Sequence, residues 1–331
     1  METLIELLHS PFLGKPAWIW LLFAGVVVTL LSFDLGVLHK DDREIGVKES
    51  LLLSAGYIGV ALLFGAWVWW FLGAQSGTEY FTGFLIEKSL SMDNVFVIAL
   101  IFSYFAIPRE YQHRVLFWGI LGVIVLRAIM IGLGAALVTG FSWILYVFGA
   151  FLVVTGIKMW IVADHMPDIA NNPLLKFLRK HLRVTQGLHG NAFFVQQADP
   201  ASGKMARAAT PLFLALCLVE FVDLVFAVDS VPAIFAITSD PFIVYTSNIF
   251  AILGLRALYF ALAAMIHRFT YLKYALALVL VFIGTKIFLV GIIGKIPAAV
   301  SLTVTFGLIA GGVIVSLWKT REAKTVLGKS I

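Results

Sequence analysis

The chain has 331 residues, 61% of them hydrophobic and only 13% charged, and its mean hydropathy is +0.97. A soluble domain carries about 25% charged residues, so an ordinary soluble fold is excluded and an all-α polytopic membrane protein is implied. The net charge of +5 does not imply nucleic acid, because the basic residues lie in loops between apolar runs; the single cysteine, Cys217, excludes an intrachain disulfide and a Cys-based metal site.

Nine apolar segments are predicted, at about 17–38, 51–73, 80–107, 114–138, 141–162, 209–237, 243–266, 270–292 and 297–318. Each is near or above the ~20 residues that a helix needs to cross a bilayer. The first is too long for a signal-peptide core and has no basic stretch before it, so it reads as a span. The connections are short except for 163–208, which holds Lys176, Arg179, Lys180, Arg183, Lys204 and Arg207 and a turn at Pro200-Ala-Ser-Gly203. A short amphipathic helix is predicted over 173–182 in this loop, and His181 and His189 read as solvated side chains rather than ligands.

Lysine and arginine give an orientation. With the N-terminus outside, the inner loops hold seventeen basic residues, and the outside holds two, Lys15 and Lys295. This bias sets the 163–208 loop and the C-terminus in the cytoplasm and requires an odd number of spans. Lys88, Arg127, Lys158, Arg256 and Lys286 fall within spans.

The chain also repeats itself. Asp93-Asn94-Val95 matches Asp229-Ser230-Val231, and six residues before each aspartate stands another carboxylate, Glu87 or Asp223. Leu126-Arg127-Ala128 matches Leu255-Arg256-Ala257, the stretch starting at Phe141 matches that at Phe269, and Gly156-Ile-Lys158 matches Gly284-Thr-Lys286. Four matches in the same order define two copies of three spans. Three is odd, so the copies are inverted, which is the plan of many secondary transporters. The chain then divides into 1–79 (spans 1 and 2), 80–162 (first repeat), 163–208 (cytoplasmic loop), 209–292 (second repeat) and 293–331 (last span and tail).

The chemistry is concentrated in two of the spans. One carries Glu87, Lys88, Asp93 and Asn94; the other carries Glu220, Asp223, Asp229 and Ser230, with Pro232 just beyond. A charge at mid-membrane costs roughly 2.5–3.5 kcal/mol on the insertion scale, so such residues pair, bind ions or line a path. Glu220 and Asp223 share a helix face. Glu87 and Asp93 are about 240° apart on an ideal helix, and Glu220 and Asp229 face opposite ways. Pro232 predicts a bend or break around Asp229. Arg127 and Arg256 are expected to serve as counter-charges, with Lys88 in the same role or snorkelling. The acids Asp34, Glu87, Asp93, Glu220, Asp223 and Asp229 still outnumber Lys88, Arg127 and Arg256, which calls for a cation or protons.

Carboxylates with the Asn94 amide and Ser230 hydroxyl form a hard oxygen set, which suits Mn(II), Ca or Mg rather than Zn or Cu. The expected metal residues are therefore Glu87, Asp93, Asn94, Glu220, Asp223, Asp229 and Ser230, with Asp34 as a further metal or pathway candidate. The chain has no His-Glu-x-x-His, Gly-x-Ser-x-Gly or Walker-type motif, so no enzyme and no resident cofactor is expected.

The stretches Ile-Glu87-Lys-Ser-Leu-Ser-Met-Asp93-Asn-Val-Phe, Val-Glu220-Phe-Val-Asp223 through Asp229-Ser-Val-Pro232-Ala-Ile-Phe-Ala, and Ser-Asn-Ile-Phe-Ala-Ile-Leu-Gly-Leu-Arg256-Ala resemble the TerC/Alx family of bacterial integral membrane proteins. The resemblance implies a relative of the lysine-exporter superfamily in the bacterial inner membrane that exports Mn(II). It carries the family's acidic positions onto Glu87, Asp93, Glu220, Asp223 and Asp229. It also implies an association with tellurite resistance, although an acidic pocket is a poor host for an oxyanion. The expected function is secondary export of divalent metal, chiefly Mn(II), by proton antiport. The alternative is a membrane scaffold or partner protein that acts on tellurite resistance or metal loading of exported proteins indirectly.

Overall fold

The computed structural model describes residues 6, 8–36, 46–141, 143–161, 168–198, 205–263, 271–294 and 296–327. The side chains of Asp34, Asp93 and Arg256, and the turn at Pro200–Gly203, lie outside the described set. The fold is almost entirely helical: α1 (Ala17–Gly36), α2 (Val47–Leu72), α3 (Ala74–Tyr104), α4 (Arg109–Gly140), α5 (Ile144–Ile161), α6 (Pro173–His181), α7 (Pro211–Phe235), α8 (Pro241–Leu253), α9 (Leu255–Ala263), α10 (Leu272–Ile293) and α11 (Ala298–Leu327). Two short antiparallel hairpins are added, β1 (Pro11–Phe12) with β2 (Lys15–Pro16), and β3 (Phe194–Ala198) with β4 (Met205–Ala209).

Helix boundaries follow local chemistry. Prolines 173, 211 and 241 occupy the first helical position of α6, α7 and α8, where no N–H is missed and φ is already set. Asn172 caps α6 by accepting from the Leu174 and Leu175 amides, and Asp240 caps α8 by accepting from Phe242 N–H at 3.0 Å. Gly73, at φ +96°, turns the chain between α2 and α3, a conformation that a side chain would resist.

Among the described residues, six helices are long and apolar enough to cross a membrane: α2, α4, α5, α7, and most of α10 and α11. The expected count of nine is not reached on that measure. The apolar parts of α1 (Ala17–Phe33) and α8 are shorter. α3 spans 31 residues, but Glu79, Glu87, Lys88 and Asp93 interrupt its apolar character. The segment expected as one span over 243–266 is two helices, α8 and α9, parted at Gly254. Outward faces carry large exposed apolar residues, among them Leu63, Trp70, Val125, Leu133, Val154 and Ile314, which is how a lipid-facing surface reads.

α8 lies at the centre: eleven of its thirteen residues are buried. It packs on α3, while α4 packs on α7, and α3 also meets α7. Phe23, Phe64, Tyr80, Phe242 and Phe250 fill the space between α1, α2, α3 and α8, with Phe64 and Phe250 rings 4.7 Å apart. The most extensive packing is between α5 and α10. Here a Cβ on Gly156 would come 2.7 Å from the Ala277 carbonyl and one on Gly284 2.6 Å from the Gly149 carbonyl, so the two backbones touch directly, as small residues allow in membranes.

The helix expected over 173–182 is present as α6. The segment also contains the β3–β4 hairpin, whose strands flank the expected turn at 200–203 and were not themselves expected. Leu175 tucks under α7 beside Leu212. Asp168 accepts from the Asn171 side chain (2.7 Å) and backbone (3.2 Å), and these bonds hold its carboxyl below the usual range. His181 and His189 are exposed, and their rings meet the backbone carbonyls of Phe177 and Gly187.

Candidate functional site: a buried arginine–carboxylate network

Arg127, on α4, is 1% exposed and stands where α3, α4, α7 and α8 converge. Its guanidinium makes a two-pronged contact with Asp223 of α7, Nε to Oδ2 and Nη2 to Oδ1, both 3.1 Å. Nη1 donates to Glu87 Oε1 of α3 at 2.5 Å, to Ser230 Oγ of α7 at 2.7 Å and to Asn248 Oδ1 of α8 at 3.4 Å. The planar fork of arginine suits such multiple acceptance. Two amides complete the network: Asn94 Nδ2 donates to Asp223 Oδ1 at 3.2 Å, and Asn248 Nδ2 to Glu87 Oε2 at 3.1 Å. Glu87, Asn94, Asp223, Ser230 and Asn248 are all no more than 5% exposed.

Glu220 lies one helical turn before Asp223 on α7, half-buried, and feels the Asp223 charge. Its carboxylate is packed against Gly122 of α4, where any Cβ would collide with it. Its Oε2 is buried with no hydrogen-bond partner among the described residues, and so is Asn94 Oδ1. A cavity of about 20 Å³, room for about one water, is lined by Asn94 and Asp223 together with Gly119, Val123, Val219 and Val222 of α4 and α7.

The expected metal residues thus divide. Glu87, Asn94, Asp223 and Ser230 come together around Arg127, with Glu220 beside them. Asp229 does not join; it faces α5, near Thr155 and Lys158. No break occurs at Asp229: α7 runs through it and ends at Phe235, three residues past Pro232. The proline sits in the last turn, so its missing N–H frees a carbonyl close to where the helix stops anyway. Among the described residues, no three His, Cys, Asp or Glu side chains are arranged as metal ligands. Glu87 and Asp223 are instead held by the guanidinium. Lys88 is buried and donates to the Ala251 carbonyl at 3.2 Å. Lys286 is buried on α10, and Lys158 is exposed. Asn248 was not singled out from sequence. Its signal was an amide in an otherwise apolar segment, Ser-Asn-Ile-Phe.

Fold and network together define a polytopic helical membrane protein with a charged, hydrogen-bonded interior. The chain belongs to the integral membrane protein TerC family, which matches residues 72–324. It is 51% identical over 298 residues to an uncharacterized membrane protein of Rickettsia bellii, covering 90% of this chain and 96% of that one. It is 47% identical to a membrane protein of Myxococcus xanthus, over 95% and 96% of the two chains. It is also 47% identical to a Salmonella typhi protein named as a candidate membrane-bound redox modulator, Alx, over 93% and 96%. No solved structure matches the chain.

Proposed function

We propose that this protein is a secondary transporter that exports divalent metal, chiefly Mn(II), from the cytosol by proton antiport. The observation that carries the reading is the unbalanced interior. Two carboxylates, Glu87 and Asp223, hold one guanidinium, a third, Glu220, stands next to Asp223, and two buried oxygens, Glu220 Oε2 and Asn94 Oδ1, have no hydrogen-bond partner among the described residues. Uncompensated negative charge in a low-dielectric interior is costly. A cation or protons would offset it, and an all-oxygen donor set favours Mn(II), Mg or Ca. Asp93 and Asp229 are proposed to extend the ion's path on α3 and α7, with Asp34 a pathway candidate on α1 and Arg256 a further counter-charge. In this reading Arg127 stands in for the ion when none is bound.

The inverted repeat is part of the proposal and has geometric support. The first copy is α3, α4 and α5; the second is α7, α8 with α9, and α10. The leading contacts pair α3 with α8, α4 with α7, and α5 with α10, as a two-fold relation between copies would require. The α5–α10 contacts obey the same relation. Gly156 meets Ala277 and Gly284 meets Gly149, and each pair becomes the other when the 128-residue offset is applied. The order of these contacts makes the two helices antiparallel. The proposed setting is the bacterial inner membrane, with the N-terminus outside and the C-terminus and the 163–208 loop in the cytoplasm.

The test is flux into proteoliposomes that contain only this protein, with trapped metal-sensitive and pH-sensitive dyes. Mn(II) movement with an opposing proton flow is the expected result, because metal ligands must lose protons to bind. Metal flux without proton flow would remove antiport and leave the site; no metal flux would remove the transporter reading. The names of the Alx relatives favour a second reading, in which the protein acts on redox state. With one cysteine, such an action works through a partner or through metal supply rather than an internal dithiol, and absence of flux would support it.

A further inference from the structure

We propose that Lys88 is a tethered cation: its ammonium group occupies the carbonyl end of the interrupted helix α8 and holds the α8–α9 hinge in place. A helix end leaves its last four carbonyls without intrahelical donors and carries partial negative charge. α8 ends at Leu253, so Ala251 is among those four residues. The Lys88 ammonium donates to the Ala251 carbonyl at 3.2 Å.

The space beside the break is shaped around this amine. Gly254 is the residue between α8 and α9. A Cβ there would come 2.8 Å from Lys88 Nζ and 3.2 Å from Tyr57 Cβ on α2. Glycine thus leaves the volume that the ammonium and α2 fill. Lys88 is 8% exposed, and no described carboxylate forms an ion pair with it. An ammonium removed from water needs a compensating partner, and the helix end supplies one. Interrupted helices in transporters commonly offer their carbonyl ends to a mobile cation. Here the protein's own amine takes that position, which makes Lys88 a positioning residue and not a ligand of the transported ion.

Its position links the hinge to the carboxylate network. Glu87 and Lys88 are neighbours on α3, and both hold α8. Glu87 does so through Asn248 at 3.1 Å and Lys88 through Ala251. Asn248 and Ala251 are three residues apart, on one face of α8. Tilting α8 at Gly254 therefore moves the Asn248 amide that binds Glu87. Release of the amine and rearrangement of the Arg127 network become one event.

The inference deepens the transport reading, but its test uses no metal, so a failure of transport does not decide it. Hydrogen–deuterium exchange is followed in peptides covering 248–260 of the full chain in lipid nanodiscs. Lys88→Ala is expected to speed exchange at the break by about tenfold or more, the worth of a hydrogen bond to a charged group. Added n-propylammonium, which replaces the missing stem and amine, should slow it again. Tetramethylammonium, which has no N–H, and neutral n-propanol should not. Unchanged exchange in Lys88→Ala, or equal rescue by propanol, would overturn the proposal. If Lys88→Ala does not fold, Gly254→Ala decides: its methyl group displaces the ammonium with Lys88 still present, and must raise exchange over the same peptides. Wild-type exchange in Gly254→Ala would overturn the proposal too.

Discussion

Arg127→Met leaves Glu87 and Asp223 buried with no cation between them. Their side chains are 1% and 6% exposed, so water cannot replace the guanidinium. Breaking a buried ion pair by removing one partner costs about 3–5 kcal/mol. For a chain of this size about 2 °C of unfolding temperature corresponds to 1 kcal/mol, so a fall of about 6–10 °C is expected. The assay is thermal unfolding of the purified protein in detergent, with Arg179→Met as the control on an exposed side chain, where a change within about 1 °C is expected. The triple change Arg127→Met, Glu87→Gln, Asp223→Asn removes the charges together and should recover most of the loss, because a neutral trio can share hydrogen bonds without an uncompensated ion. A fall below about 2 °C for Arg127→Met, or a triple variant no more stable than the single one, would refute the account of the network as a mutually dependent charge cluster.

Gly122→Ala should push the Glu220 carboxylate aside without removing any acid and weaken apparent Mn(II) affinity by about tenfold, roughly 1.4 kcal/mol; titrating Mn(II) against flux checks it, and unchanged affinity takes Glu220 out of the site. Asp93→Asn and Asp229→Asn should each abolish protection of cells against excess Mn, since the amide keeps shape but not charge; normal cellular Mn at normal membrane levels of either variant places the path elsewhere. A fluorescent fusion at the C-terminus, or within 163–208, should report a cytoplasmic position, and a periplasmic C-terminus would remove the odd span count and with it the inverted repeat.

Apolar runs were legible in the sequence because membrane helices must satisfy their backbone internally and bury little polar surface. The described helices accordingly lie near the expected segments. The exceptions are informative. Gly254 divides a segment whose hydropathy runs on without a gap, because the break is read by packing against Lys88 and Tyr57 rather than by composition. Pro232 looked like the interruption, yet it lies in the final turn of α7, where the helix needs no further bond. The carboxylates were legible as unusual residues, but their partners were not. Spacing set Glu220 and Asp229 on opposite sides of the helix, which agrees with their facing different helices, α4 and α5. That Arg127 would hold both Glu87 and Asp223 depends on how α3, α4 and α7 pack, and no local pattern encodes it. Asn248 was hidden for the same reason: an amide in a span signifies little until its helix is seen between a glutamate and an arginine.

The position of Arg127 bears directly on the coupling proposed for transport. The residue belongs to one proposed repeat and binds one acid from each: Glu87 of its own copy and Asp223 of the other. If the two copies rock against each other, as alternating access in such folds requires, the guanidinium cannot keep both contacts with unchanged geometry. Losing either one exposes a carboxylate to the cost of an unpaired buried charge, which at about 3–5 kcal/mol would make the moved state rare, below about one molecule in a hundred. Occupation of the freed carboxylate by a divalent ion or a proton removes that cost. The empty, unprotonated protein is then held in place while the loaded or protonated one can move, and this is the condition that prevents an exchanger from leaking. Asp223 has the further feature that Asn94 and Glu220 stand close to it as well, and neither Asn94 Oδ1 nor Glu220 Oε2 has a hydrogen-bond partner among the described residues. A cation arriving there meets oxygens that Arg127 does not already hold, and it can begin to bind before the guanidinium leaves.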